Sequence, residues 1–225
     1  MLRYRFLLLG ILILYNLNAQ TFLEIIPNFG FWNSEIVNTE IHNDKATIGK
    51  GLWKPSYGFS YVVNFGLPED DVIHGIGFNF NTSTKGSISE IYSDCKIEMP
   101  AHSLGLFWQV NYKFWINTIF DFKMGFAVDA LETSSYYGNR SQLESFPKLN
   151  NESSFKSSET LLIYSMGIKK QLFNEKVSVS LDITGDVGIS KINFNQGSFK
   201  TQTLGIKIGF GIIILDHQDS SWPPD

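Results

Sequence analysis

Charge and cysteine are both scarce in this chain. Of its 225 residues only 18% are charged, and 18 Lys and Arg against 22 Asp and Glu leave a formal charge of −4. With no basic excess to neutralise phosphates, nucleic acid is excluded as a partner. The single cysteine, Cys95, excludes a disulfide-stapled scaffold within the chain. No apolar run approaches the roughly 20 residues of a membrane-spanning helix. Beyond Thr21 no long segment carries the 3.6-residue apolar stripe of an amphipathic helix. Aromatic residues, by contrast, make up 15% of the chain and glycine contributes 19 residues, a composition that argues against disorder.

Met1 to Arg5 carries two arginines, Phe6 to Leu14 is apolar except for Gly10, and Tyr15 to Ala19 turns polar. This order is that of a secretory signal peptide, expected to be cut after Ala19 although Leu17 is not the small residue usual near such a site. The apolar run of about nine residues is too short to anchor the chain as a helix. The expected organisation is a signal peptide over 1–19, one β-barrel over 20–215 and a polar tail over 216–225.

From Thr21 onward, segment after segment alternates with period two, the signature of strands with two unlike faces. Eight such segments are counted: Thr21 to Phe31, Ser56 to Leu67, Val72 to Ser83, Ser103 to Phe114, Ile119 to Leu131, Thr160 to Phe173, Val177 to Ile189 and Thr203 to Leu215. In the second, Tyr57, Phe59, Tyr61, Val63 and Phe65 share one face, and only Val62 breaks the polar one. In the fourth, Phe107 is the single intruder. Each segment has the roughly 9–11 residues that a tilted strand uses to cross a bilayer. Short connections at Pro68 to Asp70, Ile116 to Thr118 and Asn174 to Lys176 take turns with long ones over about Trp32 to Gly51, Thr84 to His102, Glu132 to Glu159 and Ser190 to Gln202. Tight turns on one side and long loops on the other are the layout of an outer-membrane barrel. Isoleucines flanking the turn sequences Asn43-Asp44 and Ser93-Asp94 suggest strands that continue past the bilayer.

Composition of the polar face separates a lipid-facing barrel from a soluble one. Most of the glycines fall on it by parity, where they would weaken a solvent-facing sheet without any return. Inside a narrow eight-stranded barrel they make room for larger neighbours. Lys113, Lys123, Lys169 and Lys207 share that parity with Asp121, Asp129, Asp182 and Asp186, a set of both signs expected to pair and block the lumen. Aromatics form two bands, as at membrane interfaces. Phe65, Tyr112, Phe114, Trp115, Phe120 and Phe173 crowd the short turns, and Trp32, Trp53 and Tyr57 sit at the opposite strand ends. The fold expected is all-β, an eight-stranded antiparallel up-and-down transmembrane barrel; a soluble periplasmic ligand-binding barrel is the alternative.

With Asn18-Ala19-Gln20 at the expected cleavage site, strands such as Tyr57-Gly58-Phe59 and Gly75-Ile76-Gly77-Phe78, and the ending Leu204-Gly205-Ile206-Lys207-Ile208-Gly209-Phe210, the chain resembles the small outer-membrane β-barrels of the PorT-like kind found widely in Bacteroidota. The resemblance covers the whole mature chain. It implies an eight-stranded barrel in the outer membrane of a Gram-negative bacterium, touching lipid and lipopolysaccharide, and some members are linked to protein secretion or surface assembly, which would add an envelope partner protein. The chain departs from the pattern at its end, where Asp216 to Asp225 follow the last strand.

Some small outer-membrane barrels are enzymes that act on lipid A, and the lipid A palmitoyltransferase family places a His in the first outer loop and an Asp and a Ser in the second. Here His42 lies in the first long connection and Ser93 and Asp94 in the second, in the reverse order. Ser-Asp is also an ordinary hairpin turn, so these three are weak catalytic candidates and the chain reads as non-enzymatic. Glu40, His42 and Asp44 share one face of an extended strand, but three ligands from one exposed strand make a poor metal cage. No cofactor is expected. His74 belongs to a rim and Cys95 to an outer loop. Gly51-Leu52-Trp53 matches the lipocalin Gly-x-Trp only by accident, since it opens the second strand.

Overall fold

The computed structural model describes residues 21–41, 48–66, 70–89, 96–132, 135–137, 158–173, 176–194 and 197–215. They form β1 (Thr21–Ile41), β2 (Ile48–Phe65), β3 (Val72–Ser89), β4 (Lys96–Trp115), β5 (Thr118–Leu131), β6 (Ser135–Tyr137), β7 (Ser158–Leu172), β8 (Val177–Gly188), β9 (Ile192–Phe194) and β10 (Gly197–Leu215). Eight of these are long, and each pairs antiparallel with its neighbour in chain order. β10 returns to β1, so the sheet closes and the barrel wall has no free edge. The short β6 and β9 extend the rim, pairing with β4 and β10.

Following the ladder from Glu24 through Val62, Gly77, Phe107, Gly125, Ile163, Asp186 and Thr203 leads back to β1 at Ser34, ten residues above the start. A closed eight-stranded barrel with such a stagger has strands tilted by about 35–45° and an interior just wide enough for side chains. On β4 the outward residues Leu104, Leu106, Trp108, Tyr112 and Phe114 are all about half exposed or more. Eleven residues from Leu104 to Phe114, rising ~3.3 Å each along a strand tilted by about 40°, make an apolar face about 25 Å tall.

The short turns lie where the alternation broke. Asn117, with φ 53°, takes the left-handed conformation of the β4–β5 turn, which Asn tolerates better than most residues. The long connections are shorter than their polar composition suggests. β1 runs on to Ile41, β2 begins at Ile48, β3 reaches Ser89, β4 starts at Lys96 and β10 at Gly197. Above the apolar band both faces of a strand are polar, as at Ser83, Thr84 and Lys85, so the period-two signal fades while the hydrogen-bonded ladder continues. Among the described residues β5, β7 and β8 are shorter than β1 to β4 and β10.

Val62 and Phe107, the two residues out of pattern, point inward. With Ile26 they form a buried apolar cluster, and Ile163 packs against it. Phe107 fits because its ladder partners on both sides, Gly77 and Gly125, have no side chain, and a Cβ at Gly77 would run into the Phe107 ring.

Candidate functional site

Among the described residues, polar and charged chemistry concentrates in the interior of the barrel, and alternation puts it there. Near the short turns Phe22, Ile73 and Ile213 form a buried apolar cluster. Near the loop ends Ile36, Leu52, Met99 and Leu131 are also buried. Between these two apolar ends the inward residues are mostly polar or ionic, apart from the Ile26, Val62 and Phe107 cluster.

Two ion clusters fill that space. In the lower one Lys169 Nζ donates to Glu24 Oε2 at 2.8 Å, and Ser178 donates to the other oxygen of Glu24 at 2.7 Å. Lys123 lies 2.7 Å from Asp121 and 3.9 Å from Asp182, and Asp121 is 4.0 Å from Lys169. The upper cluster is centred on Lys85, 2.7 Å from Asp129, 3.1 Å from Asp186 and 4.0 Å from Glu159, with Thr201 Oγ1 accepting at 2.9 Å. All four charged groups of that cluster are at most 1% exposed. Between the clusters Lys207 donates to Asn81 Oδ1 at 2.8 Å and sits 4.5 Å above the Trp32 ring. A cation over an indole face in a desolvated site is stabilised by ~2 kcal/mol or more.

Seven of the eight charges expected inside, Asp121, Lys123, Asp129, Lys169, Asp182, Asp186 and Lys207, take part in this interior. Lys113 is half-buried on the inward face beside the β4–β5 turn, where its backbone N–H bonds Asp71 across the rim. The four-against-four balance is not what the lumen contains. Glu24, Lys85 and Glu159 join it, so six carboxylates meet the ammonium groups of Lys85, Lys123, Lys169 and Lys207. Lys85 and Glu159 escaped the sequence reading because they lie just beyond the segments whose alternation was clear. Glu24 had the right parity.

The outer aromatic bands are there with one correction. Tyr112, Phe114, Trp115, Phe120 and Phe173 are exposed at the turn end, Phe65 partly so, and Trp53 and Tyr57 are exposed at the loop end. Trp32 is instead buried in the lumen, because it shares the inward parity of Gly30 and Ser34. Gly205, its ladder partner, leaves room for the indole.

His42, Ser93 and Asp94 lie outside the described residues, as do the expected signal peptide and the polar tail. Among the described residues no group of three or more His, Cys, Asp or Glu is placed to hold a metal ion; Lys85 already occupies the centre of the densest carboxylate group. One hydroxyl–imidazole–carboxylate line exists that the sequence did not suggest. His102 Nε2 lies 3.1 Å from Glu132 Oε1 and Nδ1 lies 3.1 Å from Thr82 Oγ1; in the neutral tautomer that donates to the carboxylate, Nδ1 accepts from the hydroxyl. Thr82 is the cross-strand partner of His102, so register alone brings them together. A nucleophile of this kind also needs donors for an oxyanion; Thr82 and His102 sit in the continuous β3–β4 ladder, while the neighbouring β2–β3 ladder is irregular between Gly51 and Ser56.

A closed, antiparallel, eight-stranded up-and-down barrel with an apolar exterior and an ion-filled interior defines the architectural class of the small outer-membrane barrels. Among solved structures the chain is similar to the outer membrane protein OprG from Pseudomonas aeruginosa, with a TM-score of 0.53 and 12% identity over 87% of this chain and 96% of that one. Neisserial surface protein A aligns at a TM-score of 0.46 and 7% identity, covering 84% of this chain and 96% of the other. These likenesses concern the fold. No protein-family model matches the chain, and no curated protein matches it in sequence.

Proposed function

We propose that the protein is an integral outer-membrane barrel of a Gram-negative bacterium, with a plugged lumen and no enzymatic activity, serving the envelope through its loop-side surface. The observation that carries this reading is the inverted polarity of the wall. An apolar band of about 25 Å faces outward, the height expected of an outer-membrane barrel, while nine charged side chains are buried inside. A soluble ligand-binding barrel would place those faces the other way round. The lumen closes on itself through Lys85, Lys123, Lys169 and Lys207, which leaves the loop-side rim as the surface available to lipopolysaccharide or to a protein of the secretion or assembly machinery. The PorT-like pattern of the strands favours that accessory role.

The experiment is fractionation of the mature protein with and without detergent, electrophoresis of heated and unheated samples, and planar-bilayer recording. A membrane-bound, heat-modifiable protein without steady conductance is expected. Partition into the soluble fraction refutes the membrane reading, and stable porin-like steps refute the plug. Lipid hydrolysis or altered lipid A acylation that disappears in Thr82→Ala or Ser93→Ala would overturn the non-enzymatic reading.

A further inference from the structure

We infer that the middle of the lumen is a sealed, hydrated chamber, a binding site for a small cluster of ordered water molecules beside Lys207. The inference deepens the plugged-lumen reading and rests on it for the word sealed; the hydration stands on separate observations.

A cavity of about 60 Å³ lies between the two ion clusters. By that measure a single water needs roughly 10–15 Å³, so several fit. Five of the residues that line it each carry a buried side-chain atom with no hydrogen-bond partner: Asn28 Oδ1, Asn79 Oδ1, Asp182 Oδ1, Asp186 Oδ2 and the Trp32 indole N–H. Buried polar atoms are almost always satisfied, and the residues that carry these surround a single space. Their chemistry selects the occupant. Four are acceptors and one is a donor, so the guest must bring donors without being an acceptor-rich anion. A bare cation cannot accept from the Trp32 N–H, and an anion would be repelled by Asp182 and Asp186. A neutral molecule with two donors and two acceptors meets both conditions, and water is the smallest.

Buried apolar side chains lie beyond the chamber in both directions along the barrel, and on the plugged-lumen reading they seal it. Phe22, Ile73 and Ile213 lie toward the turns, and Met99 and Leu131 toward the loops. Its waters would bridge Asp186, which belongs to the upper cluster, to Asp182, which belongs to the lower one. The two ion clusters and the water then form one connected polar column, and ions have no way through it.

The test uses the full mature protein in lipid bilayers. Solid-state NMR is expected to show cross-peaks between water and the Trp32 indole proton, and that proton should persist for hours after transfer to deuterated buffer. A second arm fills the space with Ser103→Leu. An apolar group added to a dry cavity raises the denaturation midpoint; one that displaces bound water and strands its partners lowers it. We expect a lower midpoint. Absence of water cross-peaks together with a raised midpoint overturns the inference, as does a high-resolution crystal structure with a buffer solute in the chamber. Steady conductance in planar bilayers with the water signals retained would refute the plug and leave the hydrated site standing.

Discussion

Lys85 holds together the part of the lumen where like charges are densest, and replacing it with methionine tests whether the interior is held by ion pairing. The substitution keeps most of the volume and removes the ammonium group from among Asp129, Asp186 and Glu159, at 2.7, 3.1 and 4.0 Å. At an effective dielectric of about 20 each pair at such a distance contributes on the order of 4 kcal/mol of attraction, and three mutually repelling carboxylates remain when it is lost. Breaking a buried pair costs about 3–5 kcal/mol in other proteins because an uncompensated charge is left behind. We expect a loss of that size or somewhat more in Lys85→Met, read by guanidinium unfolding in lipid vesicles with tryptophan fluorescence. Adding Asp129→Asn and Asp186→Asn to the same chain should recover most of it, since the charges that repel are then gone. An unfolding free energy of Lys85→Met within about 0.5 kcal/mol of wild type, the range of an ordinary surface substitution, would refute the reasoning and mean that the upper lumen screens its charges as bulk water does.

Three further outcomes follow from the same structure. In single-tryptophan variants in brominated lipid, Trp108 in the middle of the band should be quenched strongly and Trp32 hardly at all; equal quenching would place Trp32 outside the lumen. Gly77→Val should fold poorly because its side chain meets the Phe107 ring, and Phe107→Ala in the same chain should restore heat-modifiable mobility; no rescue would deny the pairing of the two positions. Near the loop ends, burial pushes the Glu98 carboxyl up, but hydrogen bonds from Lys54 and Lys96, and their charges, outweigh it and hold the group below its ordinary value of 4.5. A depressed carboxylate adds stability that is present above its unfolded-state value and lost as pH falls through the folded one. Wild type should therefore lose roughly 0.5–1 kcal/mol more than Glu98→Gln on acidification below about pH 4.5, and parallel acid titrations of the two would contradict this.

Strand number and the sense of the wall were legible along the chain because the side-chain period of a strand is two wherever its faces meet different media. Tyr57 to Phe65 and Leu104 to Phe114 each expose one face to an apolar medium and the other to the lumen, so their parity could be read directly. The same rule placed Asp121, Lys123 and Lys169 inside. It failed at the loop ends, where both faces are polar. There Lys85 and Glu159 looked like loop residues, and Trp32 looked like a band aromatic although its own parity with Gly30 put it in the lumen.

Within the apolar band the sequence by itself determined which residues face inward, since alternation is a local property of the backbone. Which inward residues meet was decided only by the tertiary structure. The ladder climbs ten residues in one turn of the barrel, and this stagger brings Lys85 to Asp186 and Glu24 to Lys169 across more than a hundred positions of sequence. It also separates the charges into two clusters with Lys207 between them. No local pattern encodes that stagger, because it is a condition of closing the whole sheet.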